Sequence, residues 1–95
     1  MKWLEIIIIR TVGSPKPSDD QFKALADSLS AAGLVEAVFY KNASITGDLA
    51  LALHWDTEEP KPWGSDLALG LKQELKRRGL VDHSVWIAET KDGIQ

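Results

Sequence analysis

Two stretches constrain this chain more than any others: "WLEIIIIRTV" (3–12) and "LALALHWD" (49–56). Successive side chains on a strand point to opposite faces, so a half-buried strand alternates apolar and polar residues. Neither stretch does so. Ile6 and Ile8 fall on one parity of the first, Ile7 and Ile9 on the other. In the second, Leu49, Leu51, Leu53 and Trp55 share one parity, while Ala50, Ala52 and His54 share the other. Their β-branched and aromatic content marks the first as a strand, and the long side chains on a period of two mark the second. Both need cover on two faces.

The punctuation between them sets the order of elements. "GSPKPS" (13–18) breaks the first strand. Ser18 reads as an N-cap, with Gln21 completing a capping box and Asp19 and Asp20 at the positive end of the helix dipole. Phe22, Leu25, Ala26, Leu29 and Ala32 form one helical stripe, and Gly33 is the expected stop. "LVEAVFY" (34–40) is a second strand, "KNASITG" (41–47) its turn, and residues 48–55 a third strand. "DTEEPKPWGS" (56–65) is a Pro-broken connection. A second helix starts at or near Ser65, with Leu67, Leu71 and Leu75 on its buried face and Lys72, Lys76, Arg77 and Arg78 on its polar side. Gly79 is its expected end, and "LVDHSVWIAE" (80–89) is a fourth strand.

The order β-α-β-β-α-β is the split pattern of ferredoxin-like folds. It predicts one α+β domain over residues 1–95, with a four-stranded antiparallel sheet in the order 4-1-3-2 and both helices on one face. Strands one and three are then central, and they are the two with apolar residues on both parities. The Leu parity of strand three suits the helices, because the Ala parity carries Asp48 and His54. The second face would otherwise be an exposed apolar patch, which marks an interface. A second copy in a two-fold dimer is its simplest cover. The alanines either let that second sheet come closer or leave a cavity.

This arrangement resembles the dimeric α+β barrel superfamily, in which two such sheets pack face to face. Its members include antibiotic-biosynthesis-type monooxygenases, stress-responsive barrel proteins and haem-handling enzymes. The resemblance covers residues 3–89 and rests on topology and pattern, so it carries over no catalytic residue. It implies a homodimer that binds a small apolar or aromatic molecule, in one form a cofactor-independent monooxygenase or isomerase-like enzyme. The alternative is a non-catalytic ferredoxin-like regulatory or assembly module, whose open face is only an interface.

Strand pairing selects the candidate residues. Strands two and three form a hairpin. Tyr40 opposite Asp48 would put Glu36 opposite Ala52, diagonal to His54 on one face. His54 would serve as base or ligand anchor and Glu36 as its orienter. Tyr40 and Trp86 would be walls of a ligand site. Alternatively, His54 is a strand-end histidine satisfied by backbone or water, and a one-residue slip would move Glu36 to the other face. Trp63 lies in a long connection. It reads as a lid that contacts ligand, or as an anchor seating the second helix. Trp3, Trp55 and Trp63 are expected at one end of the sheet, as a platform for an aromatic ligand or a filled corner of core. His54 and His83 should lie on the order of 20 Å apart, which argues against an intrachain metal site.

The chain has no cysteine, which removes disulfides and thiolate metal sites and fits a reducing cytoplasm. Its net charge of −3 argues against a duplex-binding surface. RNA-binding modules of this topology place aromatics on the exposed centre of strands one and three, where this chain has Ile, Ala and Leu. The longest apolar run, "IIII", is too short to span a bilayer. No signal-peptide pattern is present. There is no P-loop, dinucleotide fingerprint or nucleophile elbow. The expectation is a cytoplasmic protein without cofactor, metal, nucleic-acid or membrane partner.

Overall fold

The two-sided strands sit at the centre of one sheet. The computed structural model describes residues 1–11 and 19–89. Its elements are β1 (Lys2–Arg10), α1 (Asp19–Ser28), β2 (Leu34–Lys41), β3 (Asp48–Asp56), α2 (Asp66–Leu75) and β4 (Leu80–Ile87). The sheet order is β2-β3-β1-β4 and every pairing is antiparallel. This is the ferredoxin-like arrangement, with the open sheet expected from the element order.

One face of the sheet holds the core. Trp3, Ile7 and Ile9 of β1 and Leu49, Leu51, Leu53 and Trp55 of β3 are all buried there. Phe22 and Ala26 of α1, and Ala68 and Leu75 of α2, complete the same cluster. Both helices therefore lie on this face, and the Leu parity of β3 seats them. Burying each large side chain is worth about 1.5–3 kcal/mol, so this layer supplies most of the drive to fold. Two ring pairs stack within it: Trp3 on Trp55 and Phe22 on Phe39, each with centroids 5.4 Å apart.

Three local expectations change. First, α1 ends at Ser28 rather than at Gly33. The Ser28 hydroxyl donates to the Leu25 carbonyl at 2.7 Å, a back-bond that competes with continuing the helix. Ala32 is then exposed outside the stripe, and the Gly33 carbonyl instead accepts from the Asp56 N–H at 2.9 Å. Second, α2 starts at the expected Ser65 N-cap, whose hydroxyl accepts from the Ala68 N–H at 3.1 Å. Its deepest residue is Ala68, while Leu67 and Leu71 are half-buried. Third, α2 ends at Leu75, so Gly79 does not terminate it. A Cβ at Gly79 would collide with the Arg10 carbonyl oxygen, so the residue serves a close approach to the end of β1. β1 and β4 are also shorter than expected, at 2–10 and 80–87. The N-cap at Ser18 and the break over 13–18 lie outside the described residues.

The β2–β3 pairing contains a bulge. Leu34 pairs with Trp55, but Glu36 pairs with His54, so Val35 is the extra residue. The bulge lets Leu34 pack against the core while Glu36, two residues on, joins the opposite face. Beyond it, Val38 pairs with Ala52 and Tyr40 with Ala50. The expected register of Tyr40 on Asp48 is thus displaced by two residues. A two-residue displacement preserves the face, so the same side chains meet.

Candidate functional site

The open face consists of three cross-strand rows. In the order β2, β3, β1, β4 they are Tyr40–Ala50–Ile8–Asp82, Val38–Ala52–Ile6–Ser84 and Glu36–His54–Leu4–Trp86. Leu4, Ile6, Ile8, Val38 and Ala50 are half-buried, and no helix covers them. Polar groups lie at the two ends. At one end Arg10 lies between two carboxylates, its Nε 3.5 Å from Asp48 and its Nη1 3.0 Å from Asp82. At the other, Glu36 and His54 face each other as a pair, with Trp86 two strands away.

Four of the five expected site residues therefore share one surface: Glu36, Tyr40, His54 and Trp86. Glu36 stands directly opposite His54, but no hydrogen bond joins them among the described residues. The Trp86 indole N–H donates to the Ser84 hydroxyl at 2.8 Å, two residues back along β4. A hollow of about 170 Å³ lies at the Arg10 end, over Ile8 and Ala50 and beside Tyr40, Asn42 and Asp48. The room that the alanines leave is thus found four residues along β3 from His54.

Trp63 does not join this group. It is 86% exposed, so it neither anchors α2 nor covers the end of the sheet, and the expected three-tryptophan corner reduces to Trp3 and Trp55. The two histidines also differ from expectation. His54 pairs with Leu4 and His83 with Ile7, an offset of three residues, or about 10 Å along β1. They are closer along the strands than expected, yet His83 is on the helix face and His54 on the open face, so no single ion reaches both. No cluster of three or more metal-ligating side chains occurs among the described residues.

The helix face holds a polar group that pattern reading misses. Glu5 shares the parity of Trp3, Ile7 and Ile9 and is fully buried. Its Oε2 accepts from the Ser65 N–H at 3.0 Å and lies 2.8 Å from His83 Nε2. The His83 side chain is itself only 6% exposed. Gly64, with φ of +104°, lies against this pair, where an added Cβ would meet the imidazole Cε1. Among the described residues, Glu5 Oε1 and the buried Trp55 indole Nε1 have no hydrogen-bond partner. One carboxylate thus fastens β1 to the start of α2 and to β4. The signal was present in the sequence: a single acid on the otherwise apolar core parity of a central strand. Buried acids need partners, and the partners come from positions 60 and 78 residues away.

No helix among the described residues is long and apolar enough to cross a membrane. No protein-family model, curated protein or solved structure matches this chain.

Proposed function

We propose that this protein works as a homodimer that closes two open sheet faces on each other and holds a small apolar or aromatic molecule between them. The observation that carries the reading is the uncovered apolar centre formed by Leu4, Ile6, Ile8, Val38 and Ala50 on the face opposite the helices. A second copy suits this face because its charges are confined to the ends, which leaves an apolar centre as stable interfaces require. A two-fold axis sets the same surface of each copy against the other. The hollow over Ala50 and Ile8 is where a bound molecule would begin, with Tyr40 as its wall. His54 and Glu36 would supply the base or anchor, and Trp86 a further wall. Acting on the bound molecule without a cofactor, as an oxygenase or isomerase, is the catalytic form of this reading.

One observation favours the second reading, a non-catalytic regulatory or assembly module. Glu36 and His54 are opposite each other without a hydrogen bond, so a single chain holds no oriented base on this face. Both readings share the dimer. Multi-angle light scattering tests it: the chain should elute at twice its 10.5 kDa mass, and Ile6→Asp should elute as a folded monomer. A wild-type monomer at micromolar concentration would overturn the proposal. A screen of small aromatic compounds by tryptophan fluorescence, with Trp86→Phe as the control for emission from Trp3, Trp55 and Trp63, then separates the readings. Binding that His54→Ala abolishes supports the ligand site, and a face that takes up none supports the module.

A further inference from the structure

A second cavity lies on the opposite side of the molecule. α1 packs on β2, and α2 on β1 and β4, so the two helices leave a cleft between them. The cleft is open to solvent on one side and offers about 430 Å³, within the range of small-molecule sites. Phe22 and Leu25 of α1 and Leu71 and Leu75 of α2 line it. Phe22 and Leu75 are buried, whereas Leu25 and Leu71 are half-exposed on facing helices. The charged rim is Glu74, Arg77 and Arg78. Arg77 pairs with Glu74 at 3.6 Å, while Arg78 makes no ion pair among the described residues. Among the described residues the mouth thus carries one surplus positive charge, in a chain whose net charge is −3.

We propose that this cleft binds an amphipathic monocarboxylate, with its apolar body along Phe22, Leu25, Leu71 and Leu75 and its carboxylate at Arg78. The complementarity has two parts. The apolar lining removes a hydrocarbon body from water, which supplies most of the affinity. The unpaired guanidinium offers a fork of donors matched to a carboxylate, which selects the charge. This proposal is independent of the open-face dimer, since the two surfaces lie on opposite sides of the sheet.

The test is an amide NMR titration of the full chain with decanoate below its micellar concentration, with decylammonium and decanol as controls. Shifts should concentrate at Phe22, Leu25, Leu71 and Leu75. Decanoate should bind more tightly than decylammonium. Arg78→Ala should weaken decanoate about 3- to 10-fold and leave decanol unchanged, the size expected for a partly exposed charged contact. Three results overturn the proposal: no shifts in the cleft at millimolar decanoate, equal affinity for decylammonium, or no effect of Arg78→Ala on decanoate. Shifts confined to Ile6, Ala50 and Ala52 would also overturn it, while supporting a ligand on the open face.

Discussion

Replacing His83 with leucine should destabilise this domain by more than the loss of a typical hydrogen bond. The ring is one of two groups on Glu5 Oε2, the other being the Ser65 N–H. Removing it leaves a carboxyl group with no exposed surface and, among the described residues, one remaining donor on Oε2 and none on Oε1. A hydrogen bond to a buried carboxyl group is worth about 1.5–3 kcal/mol, because the other group stays buried without its partner. A domain of this length has a total stability of roughly 5–14 kcal/mol. The variant should therefore lose about a tenth or more of its stability, with Tm falling by roughly 6–24 °C. Urea unfolding followed by tryptophan fluorescence is the assay, because the Trp3–Trp55 stack flanks Glu5 along the strands. Protein concentration must be held constant, since association adds to apparent stability. The double variant Glu5→Leu/His83→Leu should cost less than the sum of the two single variants, because the orphaned acid is then gone and only the Ser65 N–H lacks its acceptor. That residual costs about 1–3 kcal/mol. A loss of 1 kcal/mol or less for His83→Leu, or strictly additive single and double variants, would refute the reasoning.

Gly64→Ala should cost at least 1–3 kcal/mol by thermal unfolding, since the residue has positive φ and its new methyl group meets His83. If the cost shrinks in the His83→Ala background, the clash is with the ring rather than in the backbone. Ser65→Ala should cost about 1 kcal/mol through the lost cap on Ala68. Ser65→Asp, ordinarily a good N-cap, should be worse than Ser65→Ala here, because its carboxylate would sit beside Glu5 Oε2. Comparing the urea midpoints of the two variants checks this.

The fold was legible because β1 and β3 announce themselves. Ile6, Ile7, Ile8 and Ile9 put apolar groups on both faces of β1, which suits a central strand better than an edge strand, and the element order put β1 and β3 at the centre. The end of α1 was harder to read, because the Ser28 back-bond outweighs the stop signal five residues later. The β2–β3 register was not legible, because a bulge at Val35 has no side-chain signature and simply adds one residue to a strand. The faces survived because the displacement was even. Glu5 was legible in principle from its parity, but His83 and Ser65 became its partners only through tertiary packing. Trp63 illustrates the converse error. Its size suggests burial, yet a Pro-broken connection left it on the surface, at 86% exposure.

The Glu5 fastening also bears on the order in which a ribosome delivers this chain. Residue 5 is made before residue 65, and residue 83 comes last of the three. Until β4 emerges, β1 has one bare edge and its acid has lost one of its partners. In a partial chain that stops before residue 80, Glu5 has only the Ser65 N–H to bond, so burying the core face of β1 costs more than it does once β4 is in place.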